Sequence, residues 1–432
     1  MNIFADRINH LGTETAFKMG DNIRQSEAQG LSVIKLNLGE PDFETPGPIV
    51  RKAIEELKNG NTHYTDPQGI PSLRECIARQ VSATRGVDVE PSRIVVTAGA
   101  KPPISYTMMA YVNPGDEVIY PSPGFPIYES WTTFVGAVPV PLHLEEKKNF
   151  RFDAEDLARL ITPKTRILVI NSPSNPTGGV LTENDLSEIA RVLREKAPPG
   201  MRIFSDEIYE DIIFDGKTHC SIMSMPGMRN RTIMVSGHSK SYAMTGWRLG
   251  YAVMPSDEEA LVFRQLNINI FSCIPPFIQE AARAAFENAD TRSIVGRMVA
   301  EFEKRRDVVV KGLNAIDGIH CINPEGAFYV FPRIDGVCES LGILTAYESL
   351  PPEIKVETTP STLFQMFLLY SHGVASLDRK SFGTLGSEGK HFLRLSTATD
   401  MASLQEGLKR IETASRDRDG FKTFFTKGEH LF

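Results

Sequence analysis

One lysine and one arginine, eight residues apart, are the residues of this sequence best suited to covalent chemistry. Lys240 and Arg248 lie in a stretch of small and hydroxyl residues between two apolar runs, 232–235 and 249–253, that favour strands. A lysine in a crowded, partly desolvated loop loses its proton more easily and can act as an amine nucleophile. An arginine nearby presents a planar fork that fits a phosphate. Together they offer what pyridoxal phosphate needs, an amine for its aldehyde and a clamp for its phosphate.

A single lysine is, by itself, most often a solvated surface residue. The letters around Lys240, SK…TGWRLGY over 239–251, resemble the Schiff-base segment of the class I and II aminotransferases, which have the type I pyridoxal-phosphate fold. The resemblance implies that Lys240 forms the Schiff base with pyridoxal 5'-phosphate, with Ser239 beside it. It also implies that Arg248 binds the phosphate of that cofactor.

Three further motifs appear in the order in which that family has them, SPxNPTG at 172–178, SDEIY at 205–209 and RLS at 394–396. The resemblance, which extends over about residues 30–412, assigns a role to one or two side chains in each motif. Asn175 and Tyr209 hold the phenolic oxygen of the cofactor, Asp206 pairs with its ring nitrogen, and Arg394 binds the substrate α-carboxylate. Asn175 is expected beside the substrate as well.

The aspartate and the arginine also carry a physical argument of their own. Asp206 follows a buried run, at the carboxyl end of a predicted parallel strand, where such sheets place their ligands. An ionised carboxylate there keeps a pyridine nitrogen protonated and makes the ring an electron sink. Arg394 stands among apolar residues and is therefore expected to be paired, because a buried charge is rarely left alone. The alternative for Asp206 is an exposed surface carboxylate.

The phosphate is expected to meet a second group of residues besides Arg248. Gly99, Ala100 and Lys101 form a small-residue turn before a helix that starts at Pro102. Prolines fit the first turn of a helix, and the positive end of a helix dipole is a ready anion site. Alone this signal is weak, but together with Arg248 it predicts a phosphate cup with two sides.

Three residues are assigned to the site by the resemblance alone. Gly39, in the GEPDF turn, brings a backbone N–H to the substrate carboxylate. Phe125 stacks on the cofactor ring, although core packing explains a phenylalanine there equally well. Tyr64 contacts the cofactor phosphate of a neighbouring subunit, which implies a homodimer with shared active sites.

Composition limits the remaining possibilities. The chain has 432 residues, 41% of them hydrophobic and 23% charged, which is typical of a soluble protein with two domains. A net charge of −7 argues against nucleic acid or an anionic membrane surface as a partner. The five scattered cysteines fit reduced thiols in the cytoplasm. No paired-histidine motif such as HExxH is present, so we expect no metal. No secretory signal is visible, and the apolar run 363–370 is too short to span a membrane.

Strands that alternate with helices predict an α/β fold with a mostly parallel sheet and helices on both faces. The resemblance implies seven strands in that sheet, in a large cofactor-binding domain at 46–289. Residues 1–45 and 290–432 would form the N-terminal arm and a smaller α+β domain. Proline and threonine at 336–361 suggest an insertion or a long loop, and the tail from 416 either docks or frays.

The predicted reaction is ping-pong transamination between an L-amino acid and a 2-oxo acid. Two alternatives stay open: another pyridoxal-phosphate reaction (β- or γ-elimination, replacement or decarboxylation), and a non-catalytic regulator that binds the cofactor. The family pattern VxPGxxFG is altered at 374–383, where Asp378-Arg379 replaces Pro-Gly. Lys101 is predicted to bind the distal carboxylate of a dicarboxylic substrate. The alternative is that Lys101 is solvated or paired with Glu14.

Overall fold

The chain alternates helices and strands up to about residue 290 and is mainly helical after that. The computed structural model describes residues 3–12, 14–387 and 389–432. In these residues the strands are β1 (Ile34–Lys35), β2 (Ile94–Thr97), β3 (Glu117–Ser122), β4 (Val138–His143), β5 (Thr165–Asn171), β6 (Arg202–Asp206), β7 (Thr232–Gly237), β8 (Gly250–Val253), β9 (Tyr329–Val330), β10 (Val374–Ala375), β11 (Leu377–Asp378) and β12 (Leu393–Ser396).

The α-helices surround these strands and connect them. They are α1 (Thr15–Ala28), α2 (Gly47–Lys58), α3 (Pro71–Arg85), α4 (Pro102–Tyr111), α5 (Ile127–Phe134), α6 (Ala154–Leu160), α7 (Glu183–Lys196), α8 (Asp257–Ile270), α9 (Pro276–Glu287), α10 (Ala289–Asn314), α11 (Asp335–Ser340), α12 (Ile343–Glu348), α13 (Pro352–Glu357), α14 (Pro360–His372), α15 (Met401–Arg416) and α16 (Arg418–Lys427). In the part of the chain that is described, none of these helices is both long and apolar enough to cross a membrane.

The main sheet has seven strands in the order β2-β8-β7-β6-β5-β3-β4. All neighbouring strands are parallel except β8, which runs antiparallel to both β2 and β7. The expected mostly parallel α/β sheet of seven strands is therefore confirmed. Because β5, β6 and β7 are parallel neighbours, their carboxyl ends share one edge of the sheet.

Helices cover both faces of this sheet, as its apolar strands require. Strand β2 shows the alternation: Val95 packs into one core with Ile104 of α4 and Phe263 of α8. Its neighbour Val96 points to the opposite face and packs into a second core with Leu73 of α3.

The remaining strands form two small sheets. Strand β1 pairs in parallel with β10, and β11, β12 and β9 form an antiparallel sheet. In this sheet Arg394 lies opposite Leu377 and Leu395 lies opposite Val330. The hydrophobic core around the two small sheets is separate from the cores of the main sheet. It contains side chains of α1 and of the last third of the chain.

Two stretches that the sequence left undecided are ordered into helices. The expectation of a long loop at 336–361 is wrong, because α11, α12 and α13 occupy most of this range. The short helices are separated by Gly342, with φ of +78°, and by Pro351 before α13. The tail docks rather than frays: α16 buries Phe421 and Phe424, and His430 stacks on Tyr370 with 3.9 Å between ring centroids.

Candidate active site

A cavity of about 480 Å³ opens where the carboxyl ends of β5 and β6 meet the loop after β7. Most residues that the sequence predicted for the site line this cavity: Gly39, Ala100, Lys101, Phe125, Asn175, Asp206, Tyr209, Ser239, Lys240, Arg248 and Arg394. Residues more than 350 positions apart in the sequence therefore meet at one edge of the main sheet.

Lys240 lies three residues after β7 and extends into the cavity. Its ammonium donates a 2.7 Å hydrogen bond to the carbonyl oxygen of Gly39 and lies 5.9 Å from the centroid of the Phe328 ring. Burial lowers the pKa of Lys240 to about 8, although the carboxylates of Glu40 and Glu14 act in the opposite direction. A substantial fraction of this amine is therefore neutral, and hence nucleophilic, at slightly alkaline pH.

Asp206 is the last residue of β6 and is 6% exposed. Its carboxylate accepts a 2.7 Å hydrogen bond from the hydroxyl of Tyr128 and a 3.3 Å bond from the backbone N–H of Ile208. Desolvation raises the pKa of Asp206 to about 6, against the effect of the Tyr128 hydroxyl. A cationic N–H in the cavity would stabilise the ionised form, so the site suits a protonated ring nitrogen.

Two backbone carbonyl groups fix the arginine of the predicted phosphate-binding site. Arg248 has a left-handed backbone, with φ of 56°, and its guanidinium donates to the carbonyl oxygens of Thr245 at 2.8 Å and Ala98 at 3.1 Å. Gly99 lies directly behind it, because a Cβ there would be 2.4 Å from Nη2 of Arg248. Ala100 and Lys101 complete the turn before α4. The fixed, exposed guanidinium beside this turn is able to bind a phosphate group.

Arg394 of β12 is only 4% exposed and is packed against two aromatic rings. Its guanidinium carbon lies 4.5 Å from the ring centroid of Tyr329 and 5.0 Å from that of Phe382. Nη1 donates to Oδ1 of Asn175 at 3.2 Å, and Nη2 donates to the carbonyl of Asn37. Within the described residues the buried Nε has no hydrogen-bond partner. A substrate carboxylate would satisfy this donor and supply a charge partner for the buried guanidinium.

Two tyrosine hydroxyls lie beside Arg394. The hydroxyls of Tyr209 and Tyr329 are 2.8 Å apart, and burial raises the pKa of Tyr209 well above its ordinary value. Both phenols therefore stay protonated and can donate hydrogen bonds near neutral pH. The Tyr329 hydroxyl also explains the glycine at position 39, because a Cβ on Gly39 would lie 1.9 Å from it.

The rim of the cavity carries an ion pair. The ammonium of Lys101 pairs with the carboxylate of Glu14, one residue before α1. It also lies 5.6 Å from the ring centroid of Phe125 and 5.9 Å from that of Phe17. Of the two arrangements considered for Lys101, the pairing with Glu14 is therefore the one present in this structure.

Tyr64 is the predicted site residue that the fold does not bring to the cavity of its own chain. Its side chain is 89% exposed, between α2 and α3. This position leaves the tyrosine available to a neighbouring molecule, which is how the sequence resemblance placed it.

Several cavity residues were not predicted, although the sequence contained signals for two of them. Tyr128, which hydrogen-bonds Asp206, stands three residues after Phe125 at the start of α5, and its backbone N–H donates to the carbonyl oxygen of Phe125 at 3.2 Å. Asn171 is the last residue of β5, the position that Asp206 has in β6. Tyr329 and Thr245 also line the cavity; Thr245 belongs to the TGWRLGY motif, but neither residue was assigned a role in the site. In the described residues, no cluster of histidine, cysteine or acidic side chains is able to hold a metal ion.

Comparison with known proteins agrees with this geometry. Residues 32–411 match the family described as Aminotransferase class I and II. The chain is 38% identical over 411 residues to the probable aspartate/prephenate aminotransferase of Aquifex aeolicus, covering 95% of this chain and 98% of that protein. It is 36% identical to aromatic-amino-acid aminotransferase 2 of Thermococcus litoralis, over 90% of this chain and 94% of that protein.

Solved structures give the same result. The aspartate aminotransferase of Rhizobium meliloti superposes with a TM-score of 0.85 at 35% identity, covering 96% of this chain and 99% of that one. The aspartate aminotransferase of Thermus thermophilus with maleate gives a TM-score of 0.83 at 30% identity, covering 96% of this chain and 100% of that one. The sequence motifs, the sheet and the relatives agree, and the chain belongs to the class I and II aminotransferases.

Proposed function

We propose that this aminotransferase uses pyridoxal 5'-phosphate to move an amino group between an L-amino acid and a 2-oxo acid by a ping-pong mechanism. One observation carries the proposal. A desolvated lysine, a buried aspartate, an exposed arginine at a glycine turn and a buried arginine with a free Nε surround one cavity. These groups match, in turn, the aldehyde, the ring nitrogen and the phosphate of the cofactor, and the carboxylate of the substrate.

The residues around the cavity have separate roles in binding the cofactor and the substrate. Bound pyridoxal 5'-phosphate supplies an aldehyde that condenses with amines and a ring that accepts electrons from the substrate α-carbon. Arg248 and the turn 99–101 would hold its phosphate, and ionised Asp206 would pair with its ring nitrogen. Arg394 binds the substrate α-carboxylate, so that the amino group points towards Lys240.

Lys240 is the group that moves the proton. With the cofactor bound, its Nζ would remove the proton from the substrate Cα and would later donate that proton to a carbon of the cofactor. The pKa of about 8 suits this task, because a general base works best when its pKa is close to the operating pH. Asn175 and Tyr209 lie near Arg394 and would donate hydrogen bonds to the phenolic oxygen of the cofactor.

For at least one half-reaction we propose a dicarboxylic amino acid as the substrate. Lys101 lies on the cavity wall, where its ammonium can meet a distal carboxylate. Several relatives are named aspartate aminotransferases, and the Thermus structure was solved with maleate, which is a dicarboxylate. Glu14 opposes this reading, because its carboxylate must leave Lys101 before a substrate can replace it.

We further propose that the active unit is a homodimer in the cytoplasm. The support for the dimer is the exposure of Tyr64, outside the cavity of its own chain. The support for the compartment is the presence of five free thiols. The division at residues 46 and 289 into a large and a small domain is also proposed, supported by the separate cores of the two sheet regions.

A half-reaction screen tests the proposed function. Single amino acids are added to the yellow holoenzyme, and loss of the visible absorbance of the bound cofactor is followed. We expect aspartate or glutamate to bleach this band, a 2-oxo acid to restore it, and no ammonia to be released. Ammonia released together with a keto acid, or carbon dioxide release, would indicate elimination or decarboxylation instead.

A further inference from the structure

The altered loop at 374–383 contains a buried arginine. Arg379 is 1% exposed, so its whole side chain lies inside the protein. Arg379 occupies the position of the glycine in the Pro-Gly of the family pattern VxPGxxFG, and glycine has no side chain. Burying a guanidinium is costly unless its N–H groups are hydrogen-bonded, so its partners indicate what the residue does.

These partners belong to two different sheet regions. Nη1 of Arg379 donates to the carbonyl oxygen of Gly383 at 2.9 Å and, more weakly, to that of Phe382 at 3.3 Å. Nη2 donates to Oγ of Ser122 at 2.8 Å. Ser122 is the last residue of β3 in the main sheet, whereas Arg379 directly follows β11 of the small antiparallel sheet. One guanidinium therefore joins the two regions.

Neighbouring hydrogen bonds strengthen this connection. The backbone N–H of Gly124 donates to the carbonyl oxygen of Phe382 at 3.0 Å, and Oγ of Ser122 donates to that of Leu385 at 3.1 Å. The hydroxyl of Thr384 donates to the carboxylate of Glu129, on α5, at 2.6 Å. The turn after Arg379 is thereby fixed against the segment that leads to Phe125 in the cavity wall.

Asp378 fixes the other end of the turn. Its carboxylate is 3% exposed and accepts hydrogen bonds from the backbone N–H of Ser381 at 3.0 Å, from the Ser381 hydroxyl and from the Thr362 hydroxyl. The two residues that replace Pro-Gly are thus both buried and both hydrogen-bonded within the turn or to its supports.

The turn carries Phe382, whose ring lies 5.0 Å from the guanidinium carbon of Arg394. The ring of Tyr329 lies 4.5 Å from the same guanidinium carbon. Contact with aromatic rings restricts the orientation of an arginine fork, and a bidentate contact with a carboxylate depends on that orientation.

We infer that Arg379 is a positioning residue for substrate carboxylates. It fixes the backbone at Phe382 and Gly383 against Ser122, and so holds the Phe382 ring against Arg394. This inference rests on the proposed role of Arg394 as the carboxylate clamp. It predicts that Arg379 affects the binding of any carboxylate substrate, while the chemistry at Lys240 is left intact.

The test compares Arg379→Lys with Lys380→Ala in the holoenzyme. A lysine keeps the charge but cannot reach Ser122 and Gly383 at once. Lys380 is the matched control, because it is the next residue and its ammonium donates to the carbonyl of Val356, which does not line the cavity. We expect Arg379→Lys to raise the KM for amino acids and the Kd for maleate about tenfold, with kcat within threefold of wild type. Lys380→Ala should change neither constant.

A second variant guards against a folding failure. Ser122→Ala keeps Arg379 but removes the acceptor of its Nη2 on β3, and we expect this variant to fold and to weaken maleate binding as Arg379→Lys does. If both folded variants bind maleate like wild type, or lose only thermal stability, the inference is overturned.

A double-mutant cycle separates this inference from the proposed function on which it rests. Arg379→Lys should have no further effect on maleate affinity once Arg394→Ala is present, because Arg379 acts through Arg394. An additive effect overturns the positioning role. If Arg394→Ala itself leaves maleate affinity unchanged, the proposed carboxylate clamp is the claim that fails.

Discussion

The ammonium of Lys240 donates a 2.7 Å hydrogen bond to the carbonyl of Gly39. This contact joins the loop after β7 to the turn after β1, which are 201 residues apart in the sequence. It also places the amine in a desolvated position, where burial lowers the pKa of Lys240 to about 8.

The first prediction concerns the reactivity of this amine. In cofactor-free protein, the rate at which Lys240 is reductively alkylated by a small aldehyde should rise with pH and reach half its maximum near pH 8. The reason is that only the neutral amine attacks the aldehyde. Peptide mapping gives the rate for each lysine. A midpoint near ~10.4, as for an average surface lysine, would contradict the desolvated state.

The second prediction concerns Asp206→Asn in cofactor-free protein. Burial raises the pKa of Asp206 from 3.8 to about 6. The contribution of this carboxyl group to the stability of wild type therefore falls as the pH rises through this range. Asparagine does not ionise, so the variant lacks this pH-dependent loss of stability. Its stability relative to wild type should therefore increase between pH 4.5 and pH 8. The full effect is about 3 kcal/mol at most, at 1.36 kcal/mol per pKa unit. Urea unfolding at each pH measures it.

A control with the opposite sign is available at the start of α15. Hydrogen bonds from Ser403 lower the pKa of Asp400, which contributes stability above its unfolded pKa that is lost in acid. Asp400→Asn should therefore lose stability relative to wild type as the pH rises. If Asp206→Asn behaves in the same way, Asp206 is not destabilised by burial.

The third prediction concerns substrate choice at Lys101. Lys101→Ala should lower kcat/KM about tenfold or more on aspartate and glutamate but little on alanine and leucine. A hydrogen bond to a charged group is worth roughly 1.5–3 kcal/mol, and the partial exposure of Lys101 favours the lower end. Steady-state kinetics on the four amino acids measures this.

Glu14→Gln provides the matched test, because it removes the carboxylate that competes for Lys101. It should raise kcat/KM on the two acidic substrates and leave the other two nearly unchanged. Equal effects of Lys101→Ala on all four amino acids would show that the ion pair is structural and does not read the substrate.

The fourth prediction concerns sites shared between subunits. Lys240→Ala and Tyr64→Phe are each expected to have low activity, the first because the amine is lost and the second because a phosphate contact from the partner is lost. Mixing the two proteins and allowing subunits to exchange should restore activity, because one site of each hybrid dimer is then intact. Activity that stays at the sum of the two parents, or a fully active monomer in sedimentation, would rule this out.

The sequence predicted the sheet well because its strands are short apolar runs followed by polar residues. Asp206 and Asn175 were found because each belongs to a motif at the end of such a run. Tyr329 was missed as a site residue because only the packing of β9 against β12 brings its hydroxyl near Gly39 and Tyr209. Contacts between distant segments of this kind leave no local periodicity to read.

The altered loop shows the same limit. From the sequence we inferred only that two charged residues replace Pro-Gly, and charged side chains are usually exposed. Instead Asp378 and Arg379 are buried, because Thr362, Ser381 and Ser122 supply hydrogen bonds from three separate segments. The helices at 336–361 were missed because each is only six residues long, too short to show a helical repeat.

Reductive trapping of the bound cofactor tests the central claim most directly. The holoenzyme is treated with borohydride and digested, and the lysine that carries the reduced cofactor is identified by mass spectrometry. We predict the label on Lys240, with no label and no turnover in Lys240→Ala, even though that variant can still bind cofactor through Arg248. Label on another lysine, or near-normal turnover in Lys240→Ala, would contradict the account.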